Sequence, residues 1–177
     1  TTITVTIVAP PIVDAGPDVG ICLSAAAVDL SPQSSPSGGT WTGSGIIGST
    51  FDPSITGVGT FELVYSVGSD NCQVWDTLLV NVYALPVVDV SGNTPDACVA
   101  QDSVILTASP IGGIWSSSNG GQVVGNTFYP SLSGIGIYTL TYTYTDGNGC
   151  SNSDQFDLEI YDLPSIIVSD ETYCNQG

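Results

Sequence analysis

One phrase recurs three times along the chain, and its spacing limits the fold more than any other feature. The three copies are VAPPIVDAGPDVGIC (Val8–Cys22), YALPVVDVSGNTPDAC (Tyr83–Cys98) and YDLPSIIVSDETYC (Tyr161–Cys174), and each terminal cysteine follows the previous one by 76 residues. The stretches between them align as well: Gly39–Trp41 with Gly113–Trp115, Phe51–Phe61 with Phe128–Tyr138, and Cys72 with Cys150, 78 residues on. The opening TITVTIV matches the segments that close each repeat, TLLVNVY and QFDLEIY. The chain is therefore read as residues 1–9, the last strand of a preceding repeat; two full repeats at 10–85 and 86–163; and residues 164–177, the start of a third. On this reading it is a window on a longer repetitive polypeptide.

Within a repeat the periodicity is two. Tyr138, Leu140, Tyr142 and Tyr144 alternate with threonine, and Phe61, Leu63, Tyr65 and Val67 alternate with polar or smaller residues, so each run has one face for a core and one for water. Asp146-Gly147-Asn148-Gly149 supplies residues suited to a tight turn before the next strand. Short strands between Gly, Pro, Ser and Asn turns predict an all-β chain of tandem immunoglobulin-like β-sandwich repeats, about seven strands each, with one disulfide per repeat. Units this small have marginal cores and gain from a covalent staple.

The cysteines offer that staple. Pairing Cys22 with Cys72 and Cys98 with Cys150 gives each repeat its own bridge and leaves Cys174 a partner outside the chain. A loop of that size contributes about 4 kcal/mol in the chain-entropy account. Intermolecular crosslinks and reactive thiols are the alternatives. Five cysteines with no histidine and no C-x-x-C pair do not make a zinc or redox centre, whereas well-separated cysteines suit an oxidising, extracellular compartment.

Charge removes whole classes of function. There is no Lys, Arg or His against 17 acidic residues, so the chain has no side chain to displace counterions from nucleic acid or to approach anionic lipid. No apolar run approaches the ~18 residues of a membrane span, so direct membrane insertion is not expected either. Without His or Lys, and without a repeated Ser/Asp constellation, no catalytic residues stand out and the chain reads as a non-enzyme. Isopeptide crosslinks that need lysine are ruled out as well.

Trp41 and Trp115 fall at equivalent places and are expected in the cores, with a sugar-stacking platform as the alternative. Trp75, whose counterpart is Ser153, is the better candidate for a surface contact peculiar to one repeat. No cofactor is required. Asp14, Asp18, Asp70, Asp89 and Asp146 fall in expected loops or junctions and are candidate calcium ligands, although solubility and hydration of the surface are the favoured explanation.

The phrases PPIVDAGPDVGIC, GGTWTGSG, FDPSITGVGTFELVYSV and YTLTYTYTDGNGCSNSDQFDLEIY resemble the Ig-like or PKD-like repeats of giant cell-surface proteins of Bacteroidota, including gliding-motility adhesins exported by the type IX system. The resemblance spans nearly the whole chain. It implies export to the bacterial cell surface and an adhesive or filamentous role. It also draws attention to Asp76-Thr77-Leu78 and Asp102-Ser103-Val104, which fit the Asp-Ser/Thr-aliphatic acceptor pattern of O-glycosylation in that phylum and make Thr77 and Ser103 candidate glycan sites. The leading expectation is a structural segment of a long extracellular adhesin, stalk or filament, whose partners are neighbouring repeats or copies of itself and whose Pro-containing junctions restrict bending. The competing expectation is a module whose loops recognise polysaccharide or a protein on a host or other cell surface. With no lysine on the sheet edges, the edges are expected to be protected by Asp residues, glycans or neighbouring repeats.

Overall fold

A computed structural model describes residues 9–68 and 72–165. Asp70, Cys174, nearly all of the opening segment 1–9 and most of the closing segment 164–177 lie outside the described residues. The described residues fall into two compact units, one within Thr1–Pro86 together with Thr145–Asn152, the other within Val87–Tyr144 together with Ser153–Gly177.

In the first unit the strands are β1 (Val19–Cys22), β2 (Val28–Asp29), β3 (Thr40–Thr42), β4 (Ile46–Ile47), β5 (Thr50–Phe51), β6 (Gly59–Val67) and β7 (Val74–Tyr83), with one helical turn, α1 (Pro53–Thr56), between β5 and β6. They form a four-stranded sheet in the order β1-β7-β6-β3 and a three-stranded sheet in the order β2-β5-β4. The first strand runs parallel to the last, with Val19 opposite Val80 and Cys22 opposite Tyr83, while β6 and β7 form a long antiparallel hairpin. This partition, with first and last strands side by side, is that of an immunoglobulin-like sandwich.

The second repeat copies the plan: β8 (Asp96–Cys98), β9 (Val104–Ile105), β10 (Ile114–Ser117), β11 (Val123–Val124), β12 (Thr127–Phe128), α2 (Pro130–Ser133), β13 (Gly136–Thr145) and β14 (Ser151–Tyr161). The sheet orders are β10-β13-β14-β8 and β11-β12-β9, and β8 again runs parallel to β14, with Cys98 opposite Tyr161. Seven strands per repeat match the sequence expectation.

The alternation read from sequence is the alternation that packs. Leu30, Trp41, Phe51, Leu63, Tyr65, Leu78, Val80 and Val82 fill one core; their repeat counterparts Leu106, Trp115, Phe128, Leu140, Tyr142, Leu158 and Ile160 fill the other, with Phe156, the counterpart of Leu78, partly buried against it. At roughly 1.5–3 kcal/mol per fully buried side chain, these two clusters are the main driving force for each unit.

The edge strands of the first unit have a protection of their own in their length. The edge strands β1, β2, β3 and β4 are two to four residues long, against nine and ten for β6 and β7, so each offers too few unpaired backbone groups to template another strand.

Candidate crosslink sites and interaction surfaces

The parallel pairing of first and last strands decides the cysteine chemistry. Cys22 ends β1 opposite Tyr83, the last residue of β7, while Cys72 lies just before β7 begins. A ten-residue strand at about 3.3 Å per residue places those two positions roughly 30 Å apart. A disulfide needs Cα atoms within ~7 Å. The same register separates Cys98, opposite Tyr161, from Cys150, which immediately precedes β14.

The expected bridges Cys22–Cys72 and Cys98–Cys150 are therefore corrected. The bridge joins Cys22 to Cys150, with Cα atoms 5.5 Å apart and a sequence separation of 128. It links the first strand of one sequence repeat to the turn before the last strand of the next, so "one bridge inside each repeat" does not describe it. Cys150 is fully buried, and its backbone N–H donates to the Asp146 carboxylate (2.9 Å). Asp146 also accepts from the Asn148 amide, so the turn is fixed on one side chain. Cys72 and Cys98 carry free thiols and are exposed.

Trp41 and Trp115 lie in the cores, only 4% and 8% exposed. Each packs, tilted, against a tyrosine of the neighbouring strand at a centroid distance of 5.0 Å: Trp41 against Tyr65, Trp115 against Tyr142. The tyrosines do more than pack. Tyr65 donates its hydroxyl to the Pro36 carbonyl (2.6 Å) and accepts the Gly39 amide (2.8 Å); Tyr142 does the same with Pro110 (2.7 Å) and Gly113 (2.6 Å). Glycine is required at 39 and 113 because an added Cβ would strike the tyrosine ring and the adjoining backbone carbonyl. The repeat alignment already paired Tyr65 with Tyr142 and Gly39 with Gly113; what it lacked was the three-dimensional partner of each.

The four described candidate calcium ligands, Asp14, Asp18, Asp89 and Asp146, are each engaged with backbone amides. Asp14 accepts the Gly16 amide, Asp18 the Leu79 amide, Asp89 the Ser91 amide and Asp146 the two amides of its turn. Among the described residues no three His, Cys, Asp or Glu side chains are grouped to hold a metal ion. Hydration is not their only employment, because most are caps on backbone amides. The Asp76 carboxyl is held below the usual carboxylate range, chiefly by the Ala15 amide (2.9 Å) and then by that of Thr77. Asp89 is lowered first by the Ser91 backbone amide, and Asp29 first by the Ser31 side chain. Of the candidate glycan sites, Thr77 is half-buried in the middle of β7 opposite Val64, and Ser103 is half-buried just before β9.

Two surfaces stand out. Trp75 is 66% exposed on β7 opposite Ser66. In the second unit a groove of about 510 Å³ is lined by Leu106, Ile111, Ile114, Trp115 and Tyr142 among others. Ile111 and Ile114 are largely exposed, and their repeat counterparts are Ser37 and Thr40, so this apolar character belongs to one repeat only.

No known protein-family profile matches the chain, and no curated protein does. Solved structures similar to it include titin domains I67–I69 as an E-to-A variant (15% identity, 88% of this chain, 67% of that chain, TM-score 0.38). Others are the EC1-2 region of human protocadherin-24 (15%, 71% and 83%, TM-score 0.27) and titin tandem Ig domains A164–A165 (10%, 83% and 94%, TM-score 0.25). No described helix is long and apolar enough to cross a membrane. A disulfide in the fold fits an extracellular protein.

Proposed function

We propose that this chain is a structural, non-enzymatic repeat segment of a long extracellular stalk or filament on a bacterial surface, of the adhesin kind its sequence resembles. One observation carries the reading: the Cys22–Cys150 bridge spans 128 residues and two sequence repeats. Tension entering before Cys22 and leaving after Cys150 passes through the sulfurs and bypasses nearly all of the chain between them. A bridge confined to one loop would protect far less. The absence of basic side chains favours a hydrated exterior that does not stick to nucleic acid or anionic lipid.

Single-molecule stretching tests the reading directly. At about 3.4 Å per residue the locked segment holds roughly 43 nm of contour length. The oxidised chain, pulled from its ends, is expected to withhold that length until a reductant is added. Equal extension with and without reductant would refute the stalk role.

A second reading, recognition of polysaccharide or protein, is favoured by Trp75, a large aromatic ring exposed on one repeat and absent from the other. Glycan-array binding by the chain that is abolished by Trp75→Ala would support it; no binding, or binding indifferent to the substitution, would remove it.

A further inference from the structure

We infer that Cys72 and Cys98 are two halves of further rungs of the same kind as Cys22–Cys150, each awaiting a repeat like those of this chain. Each thiol is the repeat counterpart of a sulfur already bonded: Cys98 of Cys22, and Cys72 of Cys150. The backbone at Cys98 duplicates that at Cys22. Cys22 accepts the Ala25 amide (2.9 Å) and Cys98 the Gln101 amide (3.0 Å), while Leu23 donates to the Tyr83 carbonyl and Val99 to that of Tyr161, both at 2.9 Å.

Strand register supplies the second argument. Within a repeat the two cysteines lie at opposite ends of the last strand, too far apart to meet, so neither Cys72 nor Cys98 has a partner in its own repeat. The partner must come from another repeat. Cys98 would take the cysteine before a following repeat's last strand; Cys72 would take the cysteine ending a preceding repeat's first strand. Between two copies of this chain those roles are filled by Cys72 and Cys98 themselves. Both are exposed, whereas Cys150, with its partner in place, is buried.

The chemistry needs an oxidant of the low-molecular-weight disulfide class, such as glutathione disulfide. One protein thiolate attacks it, forming a mixed disulfide and releasing one small thiolate; the second protein thiolate attacks the protein sulfur of that mixed disulfide and releases the other. Two protein thiols lose two protons and two electrons, and one small disulfide becomes two thiols.

The inference extends the stalk reading by naming what joins successive units, and the two fail separately. The full chain carrying Cys174→Ser is oxidised with glutathione disulfide and run on non-reducing gels, alone and with a further Cys72→Ser or Cys98→Ser. We expect covalent multimers from the parent, none from either variant alone, and dimers when the two variants are mixed. Non-reducing peptide maps should join Cys72 to Cys98. In native material this linkage in a covalent multimer supports the rung, whereas in a monomer-mass species it would join a last-strand cysteine to the next repeat's first strand, the reverse of Cys22–Cys150, and would overturn it. Symmetrical Cys72–Cys72 and Cys98–Cys98 links in place of the mixed one, a Cys22–Cys72 link, or thiols that stay free while Cys22–Cys150 forms would overturn it. The stretching experiment is unaffected by that failure, since it reads Cys22–Cys150 alone.

Discussion

Replacing Tyr65 by phenylalanine removes one oxygen and two hydrogen bonds while leaving the ring packed against Trp41. The Gly39 amide and the Pro36 carbonyl, both half-buried, lose their partner. A net neutral hydrogen bond contributes about 1 kcal/mol, and a half-buried site lets water recover part of what is lost, so the sum is about 2 kcal/mol. For a unit of this size that corresponds to a fall in Tm of roughly 8–16 °C. Tyr142→Phe should do the same to the second unit through Pro110 and Gly113. The assay is scanning calorimetry of the oxidised chain, with Tyr161→Phe as control, because that residue is exposed and its hydroxyl bonds the Glu159 side chain at the surface. If Tyr65→Phe shifts Tm no more than Tyr161→Phe does, the hydroxyl clamp is not a stabilising feature and the argument fails.

Other outcomes follow from the same geometry. Gly113→Ala should lower the denaturant midpoint by the equivalent of about 1–3 kcal/mol, since its methyl meets Tyr142 and the Thr143 carbonyl, whereas Gly147→Ala, with open space around it, should be near neutral. Tyr138→Phe should cost about 1 kcal/mol by freeing the Ser133 carbonyl (2.5 Å), as read by urea unfolding; an unchanged midpoint would discount that bond. Asp76, Asp89 and Asp29 titrate lower in the fold than in the unfolded chain. Their stabilisation is thus present above the unfolded carboxyl value of about 4 and disappears as pH falls through the lower folded values. In high salt, which screens general repulsion, Tm should hold from neutrality to about pH 4 and drop below it, and a Tm that rose instead would reverse the sign.

Much of this fold was legible because a repeat provides its own alignment. The two-residue alternation of Leu63 and Tyr65, and of Leu140 and Tyr142, marked the core faces, and pairing Trp41 with Trp115 gave the two centres around which they pack. The bridge was not legible. Sequence order placed Cys22 and Cys72 in one repeat, and only the parallel register of β1 on β7 reveals that they stand at opposite ends of a strand. A meander of hairpins alone would have brought them together. The shortness of the edges was not legible for a related reason, since strand length at the edges depends on which strands become edges, and that is a property of the sheet order.

The carboxylates complete the mechanical argument. In a chain with no basic side chain, an aspartate on the folded surface can be satisfied only by N–H and O–H donors or water, and here the donors are often distant in sequence. Asp18 takes the Leu79 amide and Asp76 the Ala15 amide, each across 61 residues; Asp154 takes the Val90 amide across 64. All three tie the leading segment of a repeat to its last strand. That segment also pairs in parallel with the last strand through β1 and β7 or β8 and β14, so opposite pulls on the two strands shear several bonds together instead of opening them singly. With the Cys22–Cys150 bridge intact this clasp in the first unit is bypassed; after reduction it becomes the first element to resist. Asp76→Asn should therefore leave the rupture force of the oxidised chain unchanged and lower that of the reduced chain. The same loss in both states would show that force reaches the clasp despite the bridge, and the load path drawn here would be wrong.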